Sequence, residues 1–164
     1  MNRIIQMIDR TLAFSLIVLM TAIVLSVLWQ VLSRYLLQSP SSGSEEIARF
    51  LLIWISLFGA AYSYRIKLHL GLDIVVKRMP PTKQVLATIF CYLAVLLFSI
   101  LVLILGGYYL VNLTFNPIQI SPALGLHIGY IYMALPLTGI LISIYAMNDL
   151  HLIWKEHFNM KDIK

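Results

Sequence analysis

The interval between Lys83 and Asp149 contains no aspartate, glutamate, lysine or arginine. A single helix through this interval, of roughly 60 residues, would be about 90 Å long, whereas the hydrocarbon core of a bilayer is about 30 Å thick. The interval is therefore expected to cross a membrane twice. The whole chain has 60% apolar and only 12% charged residues, with a mean hydropathy of +0.88, values typical of an integral membrane protein.

The turn between these two crossings is predicted within the sequence NPIQISP, residues 116–122. Asn116 and Pro117 break a helix, and Ser121 followed by Pro122 is a typical helix start. Two further apolar runs lie earlier in the chain. The sequence thus predicts one all-α membrane domain, residues 1–164, with four transmembrane helices at about residues 11–33, 47–64, 85–111 and 122–146.

Lysine and arginine are distributed unevenly between the two sides of such a bundle. Four spans place both termini on one side, and only Arg34 and Arg49 remain for the opposite side. The positive-inside rule therefore predicts cytoplasmic N- and C-termini. The first apolar run is too long for a cleaved signal peptide, so we expect it to remain as the first span. The basic residues follow no nucleic-acid-binding module, and nucleic acid is not an expected partner.

Two stretches are predicted to lie at the cytoplasmic membrane surface. Before the first span, apolar residues share one helix face, while Arg3 and Arg10 are available to lipid headgroups. Between the second and third spans, residues of about 65–83 have the alternating pattern of an interfacial segment. Within it, His69 and Asp73 are too few for a metal site, so a local hydrogen bond is expected. The candidate interfacial residues of this second stretch are Arg65, Lys67, His69, Asp73, Lys77 and Arg78.

The sequence SSGSEEIAR, residues 41–49, places three charges at the outer end of the second span. Glu45 and Glu46 lie near a helix N-terminus, where the backbone dipole favours negative charge. Arg49 is within helical reach of both carboxylates. Arg34 ends the first span at a similar depth, so the four charges are expected to form one neutral cluster. Such a cluster is either a self-contained structural element or a contact for a partner subunit.

Aromatic and small residues inside the spans indicate helix packing. Trp29 and Trp54 fall near mid-membrane, so we expect them to pack in the core or to face a partner subunit. Gly59 lies among small residues that allow another helix to approach closely. Gly125-x-x-x-Gly129, near the outer end of the fourth span, is a second pattern of this kind. Together with the charged cluster, these residues are candidate structural or partner-interface positions.

The sequence contains no constellation typical of catalysis or of a bound cofactor. The single Cys91 can form neither an intrachain disulfide nor a thiol pair. Haem ligation needs facing histidines at one depth, whereas His127 is predicted outside and the other histidines inside. We therefore expect no enzyme activity, substrate-binding site, metal or cofactor. A membrane anchor of a redox enzyme and, after it, a homo-oligomeric channel are the alternative functions.

The most specific part of the sequence runs from Glu45 to Asp73. It resembles the small, DctQ-like membrane subunit of tripartite ATP-independent periplasmic (TRAP) transporters, and Tyr132-x-x-x-Pro136-x-x-Gly139 is similar to that family's last span. The resemblance covers essentially the whole chain, which is similar to the separate form of the subunit. The residues that carry it in the first part are Glu45, Glu46, Arg49, Trp54, Gly59, Ala60, Ala61, Tyr62, Arg65, His69 and Asp73.

The resemblance implies a bacterial inner-membrane complex that imports organic acids with a sodium gradient. In such a complex a periplasmic substrate-binding protein captures the acid, a large multi-span subunit moves it, and the small subunit is a scaffold. The family's substrates include C4-dicarboxylates and sialic acids, and the chain is somewhat more similar to the sialic-acid branch. The expected partners are the large TRAP membrane subunit, the periplasmic binding protein and the lipid bilayer.

Overall fold

The computed structural model describes residues 2–39, 41–66 and 80–159. Its regular structure is helical, and the described residues form no strand beyond one isolated bridge between Ile120 and His127. The predicted all-α class is therefore confirmed. In chain order the elements are α1 (Asn2–Tyr35), α2 (Ser42–Arg65), α3 (Pro81–Phe98), a π-helical stretch (Ser99–Gly106), α4 (Gly107–Phe115), α5 (Ile128–Tyr132) and α6 (Ala134–Asn159).

Four helical stretches are long and apolar enough to cross a membrane, as predicted. The third combines α3, the π-helical stretch and α4, and the fourth combines α5 and α6. Because lipid offers no hydrogen bonds to the backbone, continuous helices satisfy these groups internally. The cytoplasmic location of both termini stays a prediction. The four stretches are Ile5–Tyr35, Ser42–Arg65, Gln84–Phe115 and Ile128–Ile153.

The first two spans form an antiparallel hairpin. At its tip, the Ser26 hydroxyl donates to the backbone oxygen of Ser44 over 3.0 Å. At its open end, Asp9 of α1 meets Arg65 of α2. We call these two ends of the bundle the Glu46 end, after the carboxylate in the first turns of α2, and the Asp9 end.

The apolar lead-in expected before the first span belongs to the same helix as that span, and its location at the membrane surface stays a prediction. Helix α1 is continuous from Asn2 to Tyr35, since no proline or glycine interrupts it. Ile5 and Leu12 are buried in the bundle core beside Tyr64 and Tyr145. The first turns of α1 therefore pack against protein. The second expected interfacial stretch lies mostly outside the described residues, which include neither Lys67, His69, Asp73, Lys77 nor Arg78.

The fourth span begins at Ile128, six residues later than expected from Pro122. Residues 116–127 form a compact loop instead, in which the Ile128 N–H donates to Gln119 O over 3.0 Å. A turn between Ser121 and Leu126 closes this loop, with the Ser121 N–H bonded to Leu126 O at 2.8 Å. Ser121 and Pro122 therefore lie in a loop held by backbone hydrogen bonds, and not in the first turn of a helix as predicted.

The same loop overturns the helical interpretation of Gly125-x-x-x-Gly129. Gly125 lies in the turn with φ +67°, a left-handed conformation that glycine adopts without strain. No atom lies within 4 Å of the position that its Cβ would take. Gly129 is in α5 and packs directly against the ring of Phe115 in α4. The two glycines therefore act separately, one in chain reversal and one in helix packing.

A close helix contact joins α6 to the π-helical stretch and the start of α4. A Cβ on Gly107 would lie 2.9 Å from Pro136 Cδ, and a Cβ on Gly139 would lie 2.8 Å from Leu103 Cβ. Further along α6, the Ser143 hydroxyl is 2.8 Å from that of Ser99. Close backbone approach and hydroxyl pairing are the usual means by which helices associate in lipid.

Pro136 also explains why the fourth span divides into α5 and α6. Proline has no N–H to bond to the carbonyl of Tyr132, so the regular ladder is interrupted around Met133. The interruption lies at the level of the Gly107 contact, and Gly107 directly follows the π-helical stretch. The π-helical stretch of the third span and the helix break of the fourth span therefore lie beside the contact between Gly107 and Pro136.

We predict that Gly139→Ala destabilises the bundle, because the new Cβ would lie 2.8 Å from Leu103 Cβ and 3.1 Å from Ile104 N. Overpacking of this kind costs about 1–3 kcal/mol. Thermal unfolding of the purified chain in detergent measures the change. Gly59→Ala is the matched control, because nothing lies within 4 Å of its Cβ position and alanine favours helix. Equal unfolding temperatures for the two variants would contradict the tight contact at Gly139.

Candidate functional site

An ion pair at the Asp9 end joins the start of α1 to the end of α2. Nε of Arg65 lies 3.0 and 3.2 Å from the two carboxylate oxygens of Asp9. Both side chains are mostly shielded, with exposed fractions of 30% for Arg65 and 27% for Asp9. The Arg65 guanidinium carbon is also 5.7 Å from the ring centre of Tyr145 in α6, within the range of a cation–π contact. Arg65 therefore ties three helices together.

A second carboxylate, Asp149, lies one helical turn beyond Tyr145 and is only 7% exposed. A nearly buried aspartate is uncommon, since removing a carboxylate from water is costly unless it is compensated. Asp149 and Asp9 were both missed as candidate residues by the sequence analysis. One signal was present for Asp9: an antiparallel hairpin brings the only acid among residues 1–44 close to Arg65 at the same end.

At the opposite end, Glu46 holds the loop that precedes α5. Its Oε2 accepts the backbone N–H of Ala123 at 3.1 Å and that of Leu124 at 3.0 Å. The Ser121 hydroxyl accepts the Leu124 N–H more weakly, at 3.4 Å. Hydrogen bonds to an ionised carboxylate are stronger than those between neutral groups. Glu46 thus fastens the start of the second span to the connection between the third and fourth spans.

This arrangement shows that the predicted four-charge cluster is wrong. Arg49 pairs with Glu45 at 3.2 Å, and these side chains are 68% and 60% exposed. Glu46 bonds to the backbone of the loop, and Arg34 is exposed and forms no ion pair with a described residue. Backbone donors from a loop 77 positions away compete for Glu46, and sequence spacing cannot place such donors.

The other candidate positions differ in what they face. Trp29 is 55% exposed, so it lies on the outside of this chain rather than in its core. Trp54 is partly buried and packs edge-to-face on Phe58, with ring centres 5.3 Å apart. Gly59 has open space at its Cβ position, whereas Gly129 is filled by Phe115. Trp29 is therefore mostly exposed, and Gly59 has no described atom within 4 Å of its Cβ position; their role toward a partner stays a prediction.

The centre of the bundle is a packed polar and apolar interior. The Ser143 hydroxyl lies 2.8 Å from Gly139 O and the Ser99 hydroxyl 2.9 Å from Leu96 O, while the two hydroxyls lie 2.8 Å from each other. Because each hydroxyl has one hydrogen, one serine donates to the other and the second donates to its own helix. Thr114, nearer the Glu46 end, bonds back to its own helix. Among the described residues, no three histidine, cysteine, aspartate or glutamate side chains are grouped to hold a metal. Of these contacts, only the one between the Ser99 and Ser143 hydroxyls joins one helix to another.

We predict a measurable coupling energy between Asp9 and Arg65. A double-mutant cycle with Asp9→Asn and Arg65→Gln should give about 1–3 kcal/mol, because the pair is largely shielded and its hydrogen bonds are charge-assisted. The same cycle with Glu45→Gln and Arg49→Gln is the control and should give only ~0–1 kcal/mol, since that pair is exposed. Unfolding in detergent provides the free energies. A larger coupling at the exposed pair would refute the assignment of Arg65 as a structural tie.

A further prediction concerns the contact between Glu46 and the loop. Glu46→Ala removes the acceptor for two backbone N–H groups, so amide hydrogen exchange at Ala123 and Leu124 should become about tenfold faster or more. Mass spectrometry of the exchanged protein reads out this segment. Glu45→Ala is the control, because Glu45 bonds to Arg49 on its own helix. Similar exchange in both variants would show that Glu46 does not hold the loop.

Comparison with known proteins agrees with this architecture. The family model described as "Tripartite ATP-independent periplasmic transporters, DctQ component" matches residues 23–156. A putative TRAP transporter small permease protein of Haemophilus influenzae is 28% identical over 143 residues, which are 87% of each chain. The sialic acid TRAP transporter small permease protein SiaQ of Vibrio cholerae is 26% identical over 122 residues, or 74% of this chain and 69% of that protein.

A longer relative contains a similar sequence as part of a larger polypeptide. The isethionate TRAP transporter permease protein DctMQ of Oleidesulfovibrio alaskensis is 28% identical over 137 residues. The match covers 80% of this chain but only 21% of that protein. Because the family model spans most of the four-helix bundle, the chain belongs to the DctQ family of TRAP transporter components, and it is a multi-pass membrane subunit of a transporter rather than an enzyme.

Proposed function

We propose that this chain is the small scaffold subunit of a sodium-driven TRAP transporter in a bacterial inner membrane. It supports the large transport subunit, has both termini in the cytoplasm, and presents its outer end to a periplasmic substrate-binding protein. The imported substrate is an organic acid of the sialic-acid or C4-dicarboxylate class. The sodium gradient and the substrate class rest on the resemblance of residues 45–73 to this family.

The observation that carries this proposal is the relation to the longer DctMQ permease. The four-helix bundle corresponds to only 21% of that polypeptide, so most of that permease lies outside the matched region. For this chain, a large multi-span subunit encoded as a separate polypeptide would correspond to the rest of that permease. The exposed Trp29 and the open space at the Cβ position of Gly59, judged on the described residues, supply a surface for such a partner.

The filled interior also supports a scaffold role. Gly107 and Gly139 allow α6 to lie directly against the third span, and Ser99 and Ser143 bond to each other at mid-bundle. Anion sites in transporters are typically built from interrupted helices whose ends point at the substrate. Here the interruption at Pro136 is packed against Gly107. The helix break therefore serves packing in this chain.

Membership of a transporter-component family favours the scaffold over the redox anchor and the channel considered from sequence. The names of two relatives specify sialic acid and isethionate, two different substrates, although both proteins match the same bundle. This variation is consistent with substrate selection by other components. The bundle is accordingly proposed as a support that is common to transporters of several acids.

The test is copurification of the large membrane subunit with tagged variants of this chain, together with sodium-dependent uptake of sialic acid and of a C4-dicarboxylate by cells expressing the whole transporter. We predict that Gly59→Leu reduces copurification at least fivefold and lowers uptake. A Cβ at this position meets no described atom within 4 Å, so the added side chain would extend into the open space that a partner helix needs.

Ala94→Leu is the control, because Ala94 is an exposed small residue on α3, whereas Gly59 is a half-buried small residue on α2. Thermal unfolding should be the same for both variants and the original chain. Loss of the large subunit with Ala94→Leu alone would move the interface to α3. Normal uptake by cells that lack this chain altogether would overturn the scaffold proposal itself.

A further inference from the structure

One exposed stripe of α1 changes from basic to apolar along the helix. Its members are spaced three and four residues apart, so they lie on one face. Their exposure is high, with Met7 at 70%, Phe14 at 67% and Val18 at 50%. The stripe consists, from the N-terminus, of Arg3, Met7, Arg10, Phe14 and Val18.

The apolar part of this stripe borders a groove between α1 and α2. The groove has a volume of about 320 Å³ and is open along one side. It begins at Phe14, one helical turn after Arg10. Because α1 rises ~1.5 Å per residue, the groove extends over about 8 Å of the helix, beginning some 6 Å from Arg10. Its lining is almost entirely apolar: Phe14, Ser15, Val18, Leu19, Trp54 and Phe58.

At the end of the groove nearest Arg10, the positive charges of Arg3 and Arg10 are not paired with a described carboxylate. Arg3 and Arg10 are both exposed, and neither forms an ion pair with a described residue. The neighbouring Asp9 points to Arg65, so its negative charge is already compensated. The uncharged part of α1 starts directly after Arg10, which places Arg10 where a bilayer's headgroups begin and Arg3 about 10 Å nearer the N-terminus along the helix.

We propose that this stripe and groove form a binding site for an anionic phospholipid. The phosphate lies against Arg3 and Arg10, and one acyl chain lies in the groove between Phe14 and Trp54. A phospholipid complements the stripe: its negative phosphate would meet the positive arginines, and its hydrocarbon chain would meet the apolar residues that follow them. Long arginine side chains near helix ends reach toward headgroups, which suits a phosphate ligand. The site is independent of the proposed transport function.

Native mass spectrometry of the full chain in detergent tests the proposal with added phosphatidylglycerol and phosphatidylcholine of identical acyl chains. Each basic residue near an anionic surface favours binding by about fivefold, so two arginines should favour phosphatidylglycerol by about 25-fold. Arg10→Gln should weaken phosphatidylglycerol binding about fivefold, and adding Arg3→Gln should remove the preference. Val18→Trp should weaken binding of both lipids by filling the groove. Soluble glycerol 3-phosphate should not displace the lipid.

Arg34→Gln is the matched control, because Arg34 is an exposed arginine at the other end of the same helix. It should leave phosphatidylglycerol binding unchanged. Equal retention of the two lipids, or an Arg34→Gln effect as large as that of Arg10→Gln, would overturn the site. Displacement of phosphatidylglycerol by glycerol 3-phosphate would contradict the proposed lipid site, because it would show that the phosphate binds without an acyl chain in the groove. Exclusion of phosphatidylglycerol from the copurified complex, with cross-linking of Trp54→Cys to the large subunit, would assign the groove to that subunit instead.

Discussion

The close approach of α6 to the third span is the contact on which the bundle depends. Helices in a bilayer gain little from the hydrophobic effect when they associate, because lipid tails are as apolar as their side chains. Van der Waals contact over a large area must replace that driving force, and it requires that backbones come near each other. Gly107 and Gly139 permit this approach, while Ser99 and Ser143 add a hydrogen bond at the same interface. The π-helical stretch of the third span and the helix break caused by Pro136 in the fourth span lie next to this interface.

Polar contacts at the two ends of the bundle join helices in addition to the contact between α6 and the third span. At the Asp9 end, Arg65 joins α1, α2 and α6 through a carboxylate and an aromatic ring. At the Glu46 end, a carboxylate on α2 holds the loop before α5. Both ties lie near the ends of candidate membrane spans, where charged groups are expected to cost less than at mid-membrane. The remaining outer faces are apolar, which suits contact with lipid and with a larger membrane subunit.

The contrast between Glu46 and its neighbours shows how far sequence reasoning reaches. Glu45 and Arg49 lie four residues apart on one helix, and their pairing follows from helical spacing alone. Glu46 is as close to Arg49 along the helix, yet it bonds to Ala123 and Leu124. Likewise, small residues at Gly125 and Gly129 suggested one packing motif, but a turn separates their roles. Local periodicity predicts contacts within an element and says little about which distant backbone group will compete for a side chain.

The sequence by itself determined the number of spans and the all-α class, because a bilayer admits only segments whose backbone groups are internally bonded and whose side chains are mostly apolar. Its motif from Glu45 to Asp73 also identified the family. Tertiary structure alone decided that Asp9 meets Arg65, that Gly107 and Gly139 lie where α6 packs on the third span, and that Trp29 faces outward. These outcomes depend on the rotation and crossing of each helix relative to its neighbours. Hydropathy is nearly uniform around such helices, so it carries little information about that rotation.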